Sequence, residues 1–339
     1  MVVKSTNQLR PYISDIEVFL PERIVTSCEL EAMINKKEKL LDAGSVERLF
    51  GVRERRYAES DVQVSDLGAN AARNLVEKHG ASEIDCMIFA SACGDLIEPA
   101  TANIVHSKLG LECPAFDVKN ACNSFVTALQ VASSFIEAGV YKKVLITSGE
   151  KLSNTIRFEP ADESELKKGL ASLSFGDAGS AVMVEPSPNG CGIFYQKFKT
   201  VGKHWDLCTI KGGGSMFPFD SDKNYFEGKT SELAHVFVVE GKTFVHTSLA
   251  EAGCELEDID YFFTHQVSSR TIEIMAMVLS IPIEKIIRVS DLLGNVASVS
   301  IPLSLHIAEN RGLLKHGNKI AIIGMAAGIS ISVQLMVWK

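Results

Sequence analysis

The sequence has no apolar run of the ~20 residues that a bilayer-spanning helix requires, which argues against a membrane protein. It has no surplus of basic residues either: 34 Lys and Arg stand against 42 Asp and Glu, for a net charge of −8. That balance argues against non-specific nucleic-acid binding, which rests on neutralising phosphates. The eight cysteines include no Cys-x-x-Cys pair and are scattered through apolar runs such as Asp85-Cys86-Met87-Ile88 and Leu207-Cys208-Thr209. That pattern supports neither a disulfide framework nor a zinc site nor a redox dithiol. The eight histidines show no His-x-x-x-His or His-Glu-x-x-His spacing, so no metal and no other cofactor is expected. Met1 to Arg10 lacks the apolar stretch of a secretion signal, which makes the cytoplasm the expected location.

What is present is an ordinary globular composition, 46% hydrophobic and 22% charged, over 339 residues. That length suits two domains or one two-lobed unit. Pro11 to Pro21 reads as a strand and loop, Cys28 to Leu41 as an amphipathic helix, and Gly51 to Arg56 as a charged turn entering a loop. Ser65 to Gly68 opens a long helix with Ala69, Ala72, Leu75 and Val76 on one face, stopping at Gly80. Ile84–Ala90, Phe116–Val118 and Lys143–Ser148 read as strands, with helices over Thr101–Leu109 and behind Cys122.

The second half repeats this order. Ile84-Asp85-Cys86-Met87-Ile88-Phe89 resembles Ile259-Asp260-Tyr261-Phe262-Phe263 at an offset of 175, and Val144-Leu145-Ile146 resembles Ile320-Ala321-Ile322 at 176. Two agreeing offsets indicate a duplicated strand-helix unit, with halves over residues 1–183 and 184–339. Alternating strands and helices imply an α/β fold with mostly parallel sheet and helices on both faces.

Cys122 follows a strand-like run, where a helix begins. Unpaired N–H groups and the positive end of the macrodipole at such a point favour a thiolate and a lowered pKa, making Cys122 a candidate nucleophile; simple packing of a buried thiol is the alternative. His265 ends an apolar strand and is expected at the rim of the sheet. Asn295, 36 residues after Ile259 as Cys122 is 38 after Ile84, lies in a Gly-Asn turn at the matching strand-to-helix junction. It fits an N-cap or a fixed amide donor that, with an N–H of His265, stabilises an enolate or thioester oxyanion. Ligands gather at the carboxyl ends of strands in such sheets, so the three are expected to converge between the halves. The turn Gly324 to Ser330 suits either close packing or a backbone oxyanion site.

Lys119-Asn120-Ala121-Cys122-Asn123-Ser124-Phe125, His265-Gln266, Gly294-Asn295, Ser174 to Val182 and the turn Gly324 to Ser330 occur in an order and spacing that resemble the β-ketoacyl-ACP synthase III group of the thiolase superfamily. The resemblance spans about Ile13 to Trp338. It implies a five-layered αβαβα fold, a homodimer and a Cys122, His265, Asn295 active site. Cys122 would accept an acyl group from an acyl-CoA or acyl-carrier-protein thioester, and His265 and Asn295 would stabilise the enolate of a second thioester that attacks it. The backbone N–H groups of Cys122 and Ala327 would form the oxyanion site of the acyl step.

Two stretches depart from the initiating synthases. Gly94 to Thr101 resembles the Leu-x-Glu-Pro loop of head-to-head acyl condensing enzymes and pyrone-forming ketosynthases. By that resemblance Glu98 crosses the dimer interface as the base removing an α-proton. A malonyl extender generates its own carbanion and needs no such base. A solvated loop carboxylate is the plainer reading of Glu98. Where initiating synthases clamp coenzyme A with Trp and Arg, this chain has Ser45 and Leu49, which favours a donor on a carrier protein. Arg270, Lys285 and Arg288 are candidates for its recognition, though mixed surface charge is the simpler account. The Gly-rich run Lys211 to Phe219 lacks a phosphate-binding ending and reads as an apolar loop bordering an acyl pocket. The expected activity is thus non-decarboxylative Claisen condensation. Malonyl-dependent 3-oxoacyl synthesis, acyl transfer to oxygen or nitrogen, and a non-catalytic partner subunit remain alternatives.

Overall fold

The computed structural model describes residues 10–339, so the expectation about a leading secretion signal falls almost wholly outside the described residues. Two mixed sheets carry the molecule. The first contains β1 (Pro11–Phe19), β2 (Cys86–Ala90), β3 (Ala115–Val118), β4 (Val144–Lys151) and β5 (Asp177–Pro186), in the order β1-β5-β4-β2-β3. The second contains β6 (Gly192–Thr200), β7 (Tyr261–Thr264), β8 (Lys319–Ala326) and β9 (Ser330–Val337), in the order β6-β9-β8-β7. A parallel bridge from Phe262 to Ile286 stands where a fifth strand would pair. Strand for strand the two sheets match: each has two antiparallel pairs followed by parallel ones. The sheets are therefore less parallel than expected, because β8 and β9 form a hairpin and the β4–β5 pair runs the same way.

Helices complete five layers. α1 (Val64–His79) and α2 (Thr101–Leu109) cover the outer face of the first sheet through Ala72, Leu75 and Val105. α3 (Ser124–Glu137) lies between the sheets. α4 (Thr230–Glu251) and α5 (Ser269–Leu279) cover the outer face of the second. α6 (Ser300–Asn310) joins α3 in the middle layer, where Phe125, Leu129, Ile301 and Leu305 share one core with strands of both sheets. A helix packed by sheet on two sides must be apolar nearly all round, and Ser124–Glu137 contains no charged residue before its last position.

Several expected boundaries move. The first helix runs only Ser27–Ile34, because Asn35 turns back to bond Leu40 N–H, Leu41 N–H and the Leu41 carbonyl. The charged stretch after Gly51 contains a strand, Glu54–Tyr57, paired with Arg23–Thr26. β5 continues to Pro186, so a division after residue 183 would cut it; we propose the turn at 187–191 as the junction of the halves. Among the described residues, no helix is long and apolar enough to cross a membrane.

Candidate active site

Both helices of the middle layer begin in the same strained turn. Ala121 has φ +46 and Ala297 has φ +41, values that L-residues rarely adopt. Three residues on, Ser124 and Ser300 open α3 and α6, and each hydroxyl donates to the carbonyl of its alanine at 2.7 Å. The two turns are 176 residues apart, the offset of the duplicated strands. Cys122 follows Ala121, so its counterpart is Ser298, not Asn295. Asn295 also does not follow a strand: the helix Ser290–Leu293 precedes it.

The Cys122 turn is fastened across the halves. Asn123, fully buried, donates to Ser330 Oγ at 3.0 Å and accepts from Ser332 Oγ at 2.9 Å; Asn120 donates to Ser330 Oγ at 3.1 Å and to Thr127 Oγ1 at 2.9 Å. Cys122 is half-buried on the apolar cluster that includes Phe175 and Ala297. Burial pushes its thiol up to about 12. The lowered value expected from a helix N-terminus is thus overturned: desolvation of the thiolate outweighs the dipole here.

Asn295 is positioned by backbone. Its N–H donates to Ser174 O at 2.7 Å, and its carbonyl accepts from Gly176 N–H at 3.0 Å. Two glycines permit this approach, since a Cβ on Gly294 would strike Ser174 O and one on Gly176 would strike Leu293 O. Gly294 also has φ +66, so Gly294→Ala combines a clash with backbone strain. We expect it to destabilise the fold by about 2 kcal/mol or more, read as a lowered midpoint in denaturant. The Asn295 side chain accepts from Ala297 N–H at 2.9 Å through Oδ1. That bond fixes the amide orientation and leaves Nδ2 as the free donor; α6 begins at Ser300 with Val299 at its cap position, so Asn295 does not cap it.

His265 stands half-buried at the end of β7. Its Nδ1 lies 3.0 Å from Ser300 Oγ, whose proton is already given to Ala297 O. Nδ1 therefore carries the ring proton, and Nε2 is left as the free basic nitrogen. Burial lowers His265 to about 4. The resting pair is thus a neutral thiol and a neutral imidazole, and the N–H expected from His265 toward an enolate exists only once Nε2 has gained a proton. Ala297 joins the parts: Asn295 bonds its N–H, Ser300 links its carbonyl to His265, and Cys122 packs on its cluster. Acylation that needs Nε2 unprotonated should run level with pH through 6.5 and fall only toward 4, measured as the rate of adduct formation while circular dichroism shows the fold intact.

Ala327 lies in the turn joining β8 to β9, between Ala326 and Gly328. Glu98 is exposed on the loop between β2 and α2. That loop is anchored by Asp95, which accepts from Ser65 N–H at 3.0 Å, and by Asp117, which caps α2 through Thr101 and Ala102 N–H groups at 2.9 and 2.7 Å. Its tip presents apolar side chains to solvent, Ile97 being 82% exposed. The glycine-rich loop 211–219 lies beside it, with Gly213 against Ile97 and Phe219 98% exposed. Arg270 and Arg288 line one cleft with Arg311, next to Gly51 at the end of the Ser45–Phe50 helix; Lys285 instead donates to Ile259 O at 2.6 Å and does not join them. Sequence reasoning missed Glu150, Ser298 and Ser300. Extending the 176-residue offset from the strands to Ser124 would have found Ser300.

Residues 116–202 match the family described as 3-oxoacyl-[acyl-carrier-protein] synthase III, and residues 249–338 match its C-terminal family. The β-ketoacyl-[acyl-carrier-protein] synthase III of Chlamydia muridarum is 30% identical over 327 residues, covering 92% of this chain and 94% of the relative. That of Koribacter versatilis is 28% identical, covering 98% and 99%. The crystal structure of the Aquifex aeolicus 3-oxoacyl-[acyl-carrier-protein] synthase III superposes with TM-score 0.85 at 27% identity, over 97% of this chain and 100% of that one. Xanthomonas campestris OleA, with cerulenin bound, shares the fold at TM-score 0.86 and 24% identity, over 99% of this chain and 100% of that one.

Proposed function

Because the chain belongs to the 3-oxoacyl-[acyl-carrier-protein] synthase III family of thiolase-superfamily ketosynthases, we propose that it joins two acyl thioesters by non-decarboxylative Claisen condensation through an acyl-enzyme on Cys122. The observation that carries this is the meeting of the two strained turns at Ala297, with a thiol from one half and a free amide donor and basic imidazole from the other. In the first step Cys122 gives its proton to His265 Nε2 as Sγ attacks the donor carbonyl. The oxyanion lies against the N–H groups of Cys122 and Ala327, the donor C–S bond breaks, and the leaving thiolate takes the proton from Nε2. In the second step Glu98, supplied by a second copy of the chain, removes the α-proton of the other thioester. Asn295 Nδ2 holds the enolate oxygen, joined by His265 when Nε2 is protonated. The carbanion attacks the acyl carbon, and the released Cys122 thiolate recovers the proton that Glu98 took.

The exposed apolar tip beside Glu98, with Leu96, Ile97, Met216 and Phe219, supports a homodimer in which this loop meets its partner. Ser45 and the exposed Leu49 in place of an aromatic and cationic clamp support a donor on an acidic carrier protein, as do Arg288 and Arg311 in the cleft where Arg270 pairs with Glu273. Malonyl-dependent 3-oxoacyl synthesis is the second reading, favoured by the names of the relatives. The two are separated by offering an acyl-enzyme malonyl and saturated acyl or β-ketoacyl extenders in parallel. Product from the non-malonyl extenders, without release of carbon dioxide, is expected; strict dependence on malonyl thioester would overturn the proposal.

A further inference from the structure

Glu150 is the one buried carboxyl against the Cys122 turn that the mechanism above leaves without a role. It lies in β4 and is fully buried. Its Oε1 accepts from Ala92 N–H at 2.8 Å and lies 2.5 Å from Ser298 Oγ and 3.4 Å from Ser298 N. Its Oε2 is buried without any hydrogen-bond partner. Among the described residues it makes no ion pair: Lys151, next along the strand, gives its ammonium to the carbonyls of Glu59, Ser60 and Val62. The titratable groups that face it are the Cys93 and Cys122 thiols.

The protons at this cluster can be counted. Ser298 Oγ touches two oxygens, Ala90 O at 3.1 Å and Glu150 Oε1 at 2.5 Å, yet it has one proton to give. If that proton goes to the Ala90 carbonyl, the 2.5 Å contact needs a second proton between Oγ and Oε1. Ser91 cannot supply it, because its hydroxyl donates to Gly149 O at 2.6 Å. The carboxyl itself is then the remaining source, and an ionised carboxyl would instead leave Oε2 a buried charged oxygen with neither hydrogen-bond partner nor ion pair. Burial, which raises Glu150, acts in the same direction.

We propose that Glu150 is held as an un-ionised carboxylic acid at the floor of the active site, donating to Ser298 and so acting as a positioning residue for the turn that carries Asn295. The group ties the loop at Ala92, β4 and the second strained turn together, and it places no negative charge beside Cys122. The inference rests on Cys122 being the nucleophile, but its test needs no turnover.

Infrared difference spectra of wild type against Glu150→Gln at neutral pH are expected to show the carbonyl band of a protonated carboxyl that shifts on deuteration. Only carboxylate bands in their place would overturn the proposal. Ser298→Ala gives a second spectrum should Glu150→Gln fold poorly: the protonated-carboxyl band moves to higher frequency as its acceptor is lost, and an unmoved band would overturn the proposal. Alkylation of Cys122 by iodoacetamide, followed by intact mass between neutral and alkaline pH, is expected to differ less than about twofold between Glu150→Gln and wild type, because neither carries a charge there. An acceleration of about tenfold or more, the effect of removing a like charge worth one unit of thiol pKa, would show that Glu150 is ionised. Failure of condensation in wild type, with the infrared band present, would count against the proposed reaction and not against this assignment.

Discussion

Replacing Cys122 by alanine should abolish the mass increase seen after incubation with an acyl thioester and lower condensation by about 10³-fold or more. The prediction follows from the turn itself. Ala121 at φ +46 and the Asn123 bonds to Ser330 and Ser332 hold the residue after Ala121 in one place whatever its side chain, so the fold should persist. Intact-protein mass spectrometry and circular dichroism on the same sample separate the two effects. An adduct that survives at another cysteine would show that the acyl group is carried elsewhere, and Cys93 and Cys208, both burial-raised thiols, are the controls to monitor. Because the Cys122 thiol stands near 12, adduct formation should depend on His265 throughout the neutral range. A thiol already ionised would not show that dependence.

The Glu98→Gln variant should lose about 10²- to 10⁴-fold in turnover with saturated acyl or β-ketoacyl extenders, the span of one general base, while the Cys122 adduct forms at the wild-type rate. Glu98 lies on the exposed surface of the single chain. Mixing Glu98→Gln with Cys122→Ala subunits therefore provides the sharper measurement: a heterodimer has one site with both groups intact and should recover activity that neither parent has. Recovery absent from the mixture, with subunit exchange shown by mass, would place the base within one chain. Equal loss with malonyl and non-malonyl extenders would assign Glu98 a structural part.

Much of the architecture was legible in the chain because buried strands announce themselves. Cys86–Ala90 and Val144–Ile146 are continuous apolar runs, and their repeats at 175 and 176 residues mark the duplication. Cys122, His265 and Asn295 were legible as residue types at element ends. Their physical states were not. The Cys122 thiol goes up because desolvation dominates a short stretch of helix dipole, and burial depends on Phe175 and Ala297, distant in sequence. The tautomer of His265 depends on where Ser300 sends its proton, a three-dimensional fact. The pairing of Cys122 with Asn295 failed for a simpler reason: counting from the strand assumed equal loops, while the strained alanines put Ser298 in the matching position.

That correspondence makes the proposed catalytic centre a seam. Each half presents one sharp bend with a small nucleophile-bearing residue just past it, thiol in one and hydroxyl in the other, and neither half owns a complete pocket. The hydroxyl of Ser298 is engaged inside the protein, against Glu150 and Ala90, so only one of two equivalent seats faces chemistry. Cutting the chain in the 187–191 turn should therefore leave two pieces without activity apart, and any activity regained on mixing them would measure how tightly the seam closes.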